Sequence, residues 1–448
     1  MNSQFLKKAE NLITRNYKID KELFSKLDVK RGLRNADGSG VLAGLTKVSG
    51  VVGFKKIDQR IEPVDGRLLY RGINIKDIVD GVQAENRFGY PEVVFLLLFG
   101  QLPNSEELKE FESYLGELYS LSERFISSAL LNMPSSNVMN QIQRTVLALY
   151  TLDENPDDIT PQNVLRQCLS LIAKFPALIA YAYQAKNFYF NGKTLTIRPP
   201  DSKLSPAENF LRMLREDGSY TPLEAELLDL ALILHAEHGG GNNSAFSMHV
   251  LSSSHTDTYA ATAGAISALK GPLHGAANLF VMNMMANIKE NVKDWADEDE
   301  VSAYIEKIIR KKAHNRAGLI YGMGHAVYTK SDPRAVILKQ KARSLAKTKG
   351  RLDEFQLYEN IEKLTPAVFA RVKNSNKVIS PNVDFYSGFV YDMLGFPVEI
   401  YPPIFAMARI TGWSAHRLEE LMVGGRIIRP AYKSVAEIRD YIPLKDRK

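Results

Sequence analysis

Hydrophobic residues recur with helical spacing along most of the chain, and recognisable start signals precede several of these segments. A capping box with proline at the first helical position, Thr221-Pro222-Leu223-Glu224, opens the apolar run LLDLALILHAEH, which Gly239-Gly240-Gly241 ends. Two more helices are predicted to start at Asn104-Ser105-Glu106-Glu107 and at Ser331-Asp332-Pro333, the latter ending at Gly350. The pattern predicts a mainly α-helical fold.

Strand signals are confined to residues 46 to 70. The β-branched residues, turn glycines and Asp65-Gly66 of this segment predict a small β-hairpin region near the N-terminus. The alternation of strands and helices that a parallel sheet requires does not follow it. We therefore assign the chain to the all-α class, with this hairpin region as its β structure.

Composition places the chain among globular proteins with a large core, because 45% of its 448 residues are hydrophobic and 24% are charged. Its length favours two domains, although one large domain is an alternative. Apolar runs are shorter than the roughly 18 residues of a membrane span, and the first residues lack a secretory apolar segment. The lone cysteine, Cys168, excludes an intrachain disulfide and fits a reducing compartment. We expect a cytoplasmic protein that does not enter membranes.

The net charge of +6 is small for this length and is not gathered into a tail, so we expect an anionic small molecule rather than nucleic acid as the partner. The densest basic stretch is KQKARSLAKTKGR, residues 339 to 351. A solvated helix face is the favoured interpretation of this stretch, and a phosphate-binding surface is the alternative.

Seven of the eight histidines lie between residues 235 and 325, which indicates a functional site in that region. Within it, His235-Ala-Glu-His238 suggests zinc, and a zinc hydrolase is the alternative function from a different class. The zinc-protease pattern His-Glu-x-x-His, however, is one residue longer. We therefore expect no metal site.

Two of these histidines are predicted at opposite kinds of helix end. His238 follows the C-terminus of a helix, where the negative end of the dipole favours a protonated imidazole suited to an anionic ligand. His274, in KGPLHGAANLF, lies in or beside the first turn of the next helix, where the positive end favours a neutral ring. Such a ring can donate a hydrogen bond to a developing oxyanion. A cap bonded to a free backbone N–H is the structural alternative for His274.

Three further candidates lie downstream. Glycines before His325 allow the backbone to approach a ligand closely, and Arg334, in the first turn of a helix, offers a bidentate fork for a carboxylate or for a nearby acid of the protein. Asp384 precedes an aromatic, apolar segment that would desolvate its carboxylate and raise its basicity, or it is an ordinary turn residue. Spacing alone does not show that these side chains meet.

Five motifs occur in order: HAEHGGGNNSAFSMHV, LKGPLHGAAN, YGMGHAVYTKSDPR, PNVDFYSG and IFAMARITGWSAHRLEE. Together they resemble the citrate synthase family, and the resemblance runs from about residue 45 to the end. It implies an almost wholly helical homodimer in which a small domain closes over the substrates. The implied small domain is 276–385, the large domain is 45–275 with 386–448, and 1–44 form an N-terminal arm.

The reaction of that family, part of the tricarboxylic acid cycle, joins acetyl-CoA to oxaloacetate and hydrolyses the thioester to citrate and CoA, without a cofactor. At the matching positions, the resemblance implies that Asp384 removes a methyl proton and that His274 bonds the thioester oxygen. By the same resemblance, His325 polarises the ketone of oxaloacetate. These are the placed base and oxyanion donors that an unstable carbanion equivalent requires.

The resemblance also implies a set of groups that hold the oxaloacetate carboxylates. His238, Arg334 and Arg409 belong to it, and Arg429, in GGRIIRPAYK, would reach over from the other subunit.

Some positions depart from the better-known animal-type pattern. Gly239 and Gly240 follow HAEH where a Glu-Gly pair is familiar, and Phe385-Tyr386 follow Asp384 in place of Ala-His. Acyl specificity stays open, because 2-methylcitrate synthases share these motifs and use propionyl-CoA, and one methylene is worth only about 1–3 kcal/mol of discrimination. A catalytically silent binding protein is a further alternative, although every proposed catalytic position is filled.

Overall fold

The chain divides into two compact units, Met1–Leu45 and Thr46–Lys448. The structure, a computed structural model, describes residues 3–57, 60–375 and 378–447. The first unit contains helices α1 (Ser3–Asn16) and α2 (Glu22–Lys26) and a 3-10 turn at Arg31–Leu33. The functional candidates all belong to the second unit.

The second unit is built almost entirely from helices. They are α3 (Ile75–Ala84), α4 (Tyr90–Phe99), α5 (Ser105–Leu118), α6 (Glu123–Phe125), α7 (Val138–Leu149), α8 (Pro161–Asn191), α9 (Pro206–Leu214), α10 (Pro222–His235), α11 (Asn243–Ser252), α12 (Thr258–Lys270), α13 (Ala277–Asn291), α14 (Glu298–Ile309), α15 (Pro333–Thr348), α16 (Leu352–Lys373), α17 (Val383–Met393) and α18 (Tyr401–Val423). A π-helix at Ile126–Leu131 and 3-10 turns at Tyr150–Leu152, Val398–Ile400 and Leu444–Asp446 complete the helical elements. The predicted all-α class is confirmed.

The predicted N-terminal hairpin is present as β1 (Ser49–Ile57) and β2 (Arg60–Tyr70), which pair antiparallel with Ser49 opposite Tyr70. A short β3 (Ile73–Asn74) pairs with β2. The interpretation of Asp65-Gly66 as a turn is wrong, because both residues lie inside β2. Gly66 is needed there for a close approach, since a Cβ atom would lie 2.1 Å from the carbonyl oxygen of Ser331.

The predicted helix starts are confirmed by their caps. Asn104 and Thr221 each form a capping box with the glutamate three residues later, and Asp332 accepts the backbone N–H of Arg334. The third predicted helix ends at Thr348, two residues before Gly350. These signals act within one turn of chain, which is why the sequence alone shows them.

The core lies around α8, α10 and α18. From Glu224 to His235, every residue of α10 except Glu226 is buried, so this helix is covered on nearly all sides. Helix α8 is long and apolar enough to cross a membrane by length and composition, but 78% of its most apolar window is buried inside the protein, as in the core helix of a globular unit. The division into a large domain and a small domain at 276–385 stays a prediction.

Candidate functional site

Helix α18 presents three polar side chains on successive turns to the segment 235–244. The Nε of Arg409 donates to the carbonyl of His235 at 2.7 Å, and the Nε1 of Trp413 donates to Ser244 Oγ at 3.1 Å. The third side chain is His416, whose Nε2 lies 3.0 Å from Oε1 of Glu237, a residue between His235 and Ser244. The buried helix therefore fixes the segment that carries His238.

The environment of His238 differs from the one predicted. Helix α10 ends at His235, and His238 lies three residues beyond it, with its ring 5.1 Å from the ring of His325. Burial, and then the positive charge of Arg334, lower the pKa of His238 well below its usual range. The predicted protonated imidazole is therefore wrong for the unliganded protein, because cations from distant segments and desolvation outweigh a helix dipole.

His274 lies in a turn three residues before α13, whose N-cap is Ala276. Its Nε2 lies 3.3 Å from the backbone nitrogen of Ser244 and 2.9 Å from Ser244 Oγ. Because a backbone N–H can only donate, Nε2 accepts, and the neutral ring carries its proton on Nδ1. Burial, and then the charge of Arg409, lower the pKa of His274 to about 4. The predicted neutral ring agrees with this site. The ring, however, contacts the first turn of α11 through Ser244, whereas the prediction placed it at the start of the helix that follows it.

His325 is oriented by its own loop. Its Nδ1 accepts the backbone N–H groups of Val327 and Tyr328 at 3.0 and 3.1 Å, so a neutral ring carries its proton on Nε2. The preceding Gly324 has a φ of +92°, a conformation that side chains disfavour. Its carbonyl accepts a hydrogen bond from the Nδ2 of Asn382 at 2.8 Å, which ties the loop to the segment before Asp384.

Asp384 occupies the first turn of α17, where Asn382 caps the helix by accepting the backbone N–H of Asp384 at 3.0 Å. The carboxylate is half-buried. Desolvation raises its pKa to about 6 despite the opposing positive charges of Arg334 and Arg409. The predicted increase in basicity agrees with this environment. A carboxylate with this pKa is a competent base near neutral pH.

Two buried arginines face these groups. Arg334 forms a bidentate ion pair with Asp332, which raises the pKa of the guanidinium, and its remaining N–H groups are not used by that carboxylate. Arg409 is 1% exposed, and its Nη2 is buried with no hydrogen-bond partner among the described residues. Desolvation lowers its pKa to about 10, which leaves it charged at neutral pH. A buried cation with an unsatisfied donor favours an anionic ligand.

The structure therefore gathers six of the seven sequence-predicted residues into one site, connected by ring contacts and by mutual electrostatic effects: His238, His274, His325, Arg334, Asp384 and Arg409. Arg429 is not among them. It lies exposed in the irregular segment that follows α18.

Sequence reasoning missed the side chains that hold these groups in place. Phe405 lies under the guanidinium of Arg409 at 4.6 Å and 6.4 Å from the ring of His274. The ring of Tyr328 packs against the rings of His238 and His325, with centroid distances of 5.4 and 4.7 Å. Both residues lie within the motifs quoted above. Nothing in the spacing of a single phenylalanine or tyrosine along the sequence indicates that it supports a site.

Other sequence candidates are accounted for elsewhere. Among the described residues, no group of three or more His, Cys, Asp or Glu side chains is arranged to hold a metal ion. The Nδ1 of His235 lies 2.8 Å from the carbonyl of Ala231, so its ring is engaged within α10. In the basic stretch, Lys339 pairs with Glu362 and Lys349 with Glu224, and the interpretation of this stretch as a solvated helix face stays a prediction.

Comparisons with known proteins give one family. The profile of the citrate synthase C-terminal domain matches residues 38–431. The chain is 33% identical to 2-methylcitrate synthase 1 of Corynebacterium glutamicum, over 94% of this chain and 98% of that protein. It is 34% identical to the citrate synthase of Synechocystis, over 89% and 93% respectively. The citrate synthase of Thermoplasma acidophilum, solved with oxaloacetate and carboxymethyl coenzyme A, superposes with a TM-score of 0.75 at 26% identity, covering 94% of this chain and 99% of that one.

Proposed function

The chain belongs to the citrate synthase family, and we propose that it condenses acetyl-CoA with oxaloacetate and hydrolyses the resulting thioester to citrate and CoA. The observation that carries this proposal is the meeting of a base of raised pKa, two imidazoles of defined tautomer and two buried arginines in one site. The solved relative that holds oxaloacetate and a CoA analogue supports the choice of substrates.

Oxaloacetate is a dicarboxylate, and the site offers it buried polar atoms that have no partner. Arg409 Nη2 is a donor of this kind, and His238 Nε2, which donates when the ring is protonated, is also buried without a hydrogen-bond partner among the described residues. Leaving such groups unsatisfied costs free energy, which a carboxylate ligand would recover. Together with the Nη1 group of Arg334, these atoms form the proposed binding site for the oxaloacetate carboxylates within this chain. A bound anion would also raise the pKa of His238.

The proposed chemistry begins at the acyl group. The Asp384 carboxylate takes a proton from the methyl carbon of acetyl-CoA, while the Nδ1–H of His274 donates to the thioester oxygen on which charge develops. The enol carbon then bonds to the ketone carbon of oxaloacetate, and the Nε2–H of His325 stabilises the new alkoxide. Water hydrolyses the thioester, which releases CoA as a thiol. These steps need no metal or redox cofactor.

A second candidate substrate is propionyl-CoA, because a 2-methylcitrate synthase is among the relatives of highest coverage. The discriminating measurement is release of free CoA thiol when oxaloacetate is mixed with acetyl-CoA or propionyl-CoA in parallel. Faster turnover with acetyl-CoA supports citrate synthase, and the reverse ranking supports 2-methylcitrate synthase. Cys168 is buried, but a blank without oxaloacetate corrects for its thiol. No turnover with either substrate would contradict the proposal.

We also propose a homodimer in which Arg429 completes the partner's site. The segment after α18 carries apolar side chains that one subunit leaves in solvent, among them Tyr432 at 95% and Tyr441 at 80% exposure. Exposed apolar surface of this extent is typical of an interface.

Mixing inactive subunits tests the dimer. An Arg429→Ala subunit retains Asp384, and an Asp384→Ala subunit retains Arg429. If sites are shared, random exchange places both intact groups in about a quarter of the sites, and activity returns to that extent. Independent sites would give no recovery beyond the sum of the two variants, and light scattering of the unmixed proteins reports the oligomeric state.

We propose a cytoplasmic location, which the lone buried thiol of Cys168 supports. Fractionation of the source cells, with activity followed across fractions, checks this. Recovery of the protein in a membrane or secreted fraction would contradict it.

A further inference from the structure

The loop that carries His238 is clamped on both sides of that residue. Ser49 Oγ, on β1, donates to Glu237 Oε1 at 3.0 Å and accepts the backbone N–H of Gly239 at 3.1 Å. Tyr70, on β2, donates through its hydroxyl to the carbonyl of Ile233 at 2.9 Å and accepts the backbone N–H of Glu237 at 3.2 Å. The orientation of the His238 ring therefore depends on where Glu237 is held.

Glu237 is fully buried, and its carboxylate is held by His416 of α18 as well as by Ser49. His416 Nε2 lies 3.0 Å from Glu237 Oε1, and both side chains have no exposed area. On the far side of the carboxylate, Oε2 lies against the backbone of α18, where a Cβ atom on Gly412 would be 2.1 Å away. Helix α18 thus fixes the carboxylate through a hydrogen bond and through close packing.

The ring of His416 is itself supported by a second imidazole. The ring centroid of His249 lies 4.8 Å from that of His416, and its Nδ1 is 2.7 Å from Glu420 Oε2. Gly240 covers both rings, because a Cβ atom there would lie 3.0 Å from His249 and 3.2 Å from His416. The cluster of Ser49, Glu237, His249 and His416 thus includes the residue before His238 and contacts the two glycines after it.

The carboxylate of Glu237 also acts on the ligand-facing cation. Although burial opposes it, the His416 ring, the charge of Arg409 and the hydroxyl of Ser49 lower the pKa of Glu237 to about 2, so it is ionised. Its negative charge in turn favours the charged form of Arg409, against the desolvation that this arginine suffers. The proposed oxaloacetate site, formed by His238, Arg334 and Arg409, is called the anion pocket. Glu237 is adjacent in sequence to one of its members, His238, and acts electrostatically on another, Arg409.

We propose that His416 is a positioning residue for oxaloacetate: by holding Glu237, it fixes the His238 loop and the charge balance around Arg409. In this role His416 acts through Glu237 rather than by contact with the substrate. The inference rests on the proposed function, because it concerns the same anion pocket. It predicts that loss of the Nε2 donor weakens binding of oxaloacetate more than it slows chemistry at saturating oxaloacetate.

Two substitutions separate this role from simple packing. His416→Phe keeps an aromatic ring but removes the donor to Glu237, whereas His416→Gln keeps an N–H donor at nearly the same reach. We expect His416→Phe to raise the Kd and KM for oxaloacetate about tenfold or more, as the loss of a hydrogen bond to a charged group does, with kcat within about threefold. We expect His416→Gln to recover most of that affinity.

Arg417→Gln is the matched control. Arg417 is the next residue of α18 and is also buried, but it donates to Thr256, Thr258 and Ser252 rather than to the His238 loop. This variant should lower the melting temperature without changing the Kd for oxaloacetate.

Calorimetric titration of the full-length protein with oxaloacetate alone decides the outcome. If the unsubstituted protein binds oxaloacetate and His416→Phe binds it equally well, or if the Phe and Gln variants lose affinity equally, the positioning role is overturned. If the unsubstituted protein does not bind oxaloacetate, the proposed function fails instead.

Discussion

Asp332 connects Arg334 to the start of the helix that carries Asp384. Its Oδ1 accepts from Arg334 Nε at 3.1 Å and its Oδ2 from Arg334 Nη2 at 2.8 Å. The same Oδ2 accepts the backbone N–H of Val383 at 3.2 Å, one residue before Asp384. One buried carboxylate therefore sets both the arginine fork of the anion pocket and the position of the proposed base.

Asp332→Asn should accordingly impair both functions together. The amide keeps the shape but loses the charge and one acceptor, and breaking a buried pair costs about 3–5 kcal/mol. We expect kcat/KM for oxaloacetate to fall by about 100-fold, with contributions from both kcat and KM. Steady-state kinetics and thermal unfolding measure the two effects.

Asp65→Asn is the control for Asp332→Asn. Asp65 is exposed and contacts the neighbouring Ser331 Oγ at 3.3 Å. It should leave kcat/KM within about threefold. A normal kcat in Asp332→Asn, with only KM raised, would contradict the link to Asp384.

Removal of the proposed base should abolish condensation without unfolding the protein. In Asp384→Ala we expect kcat to fall by about 100- to 10,000-fold, the contribution of a positioned general base. Because Asp384 is half-buried in the first turn of α17 and Asn382 still caps that helix, circular dichroism should be unchanged. Oxaloacetate should still raise the melting temperature of this variant, and near-normal turnover would remove Asp384 as the base.

The pH dependence of activity should report the same carboxylate. Asp384 is active when deprotonated, and its pKa in the unliganded site is raised to about 6. We therefore expect kcat/KM to be constant above that pH and to fall about tenfold per pH unit below it. His274 stays neutral over this range, because its pKa is lowered to about 4. A flat profile between pH 5 and pH 7 would contradict this assignment.

Local signals in the sequence predicted much of the fold, whereas long-range contacts decided the rest. The capping boxes at Asn104 and Thr221 involve residues three positions apart, and both are present. Gly66 was misinterpreted because the requirement for glycine comes from Ser331, 265 residues later. A pattern read along the chain does not contain that partner.

The same distinction applies to the site. Motif resemblance identified His274 and Asp384, and the structure places them in one site. The lowered pKa of His238, by contrast, comes from burial and then from Arg334 and Arg409 of other segments. His274 is likewise held by the first turn of α11, through Ser244, which lies thirty residues earlier in the sequence. The packing of the folded chain decides which charged groups meet in a site. The spacing of motifs along the sequence does not show that packing.

A buried carboxylate outside the proposed set of catalytic residues should make stability depend on pH. Asp229 accepts the backbone N–H groups of Gly89 and Tyr90 at 2.7 and 3.1 Å, and desolvation raises its pKa to about 7. The folded protein then binds a proton more tightly than the unfolded chain does between about pH 4 and pH 7. Its stabilising contribution is full below that window and is lost as the pH rises through it.

Asp229→Asn removes this titration. We expect the free energy of unfolding of the unsubstituted protein to decrease from pH 5 to pH 8 by about 2–4 kcal/mol more than that of the variant. Urea unfolding at both pH values measures the difference. Asp297→Asn, at an exposed aspartate that caps α14 in the same way, should show no such difference. Parallel pH profiles for Asp229→Asn and the unsubstituted protein would contradict the assignment.

Oxaloacetate and the acyl-CoA should bind with positive coupling if a small domain closes over them. Both substrates would contact the same group of side chains, since Arg409 influences the pKa of His274 and of Asp384. We expect oxaloacetate at 100 times its Kd to stabilise the fold by about 2.7 kcal/mol and to tighten binding of a non-reactive acyl-CoA analogue. By reciprocity, the analogue must tighten oxaloacetate by the same factor. Calorimetric titrations in both orders measure that factor, and additive binding free energies in both orders would rule out closure as the link between the two subsites.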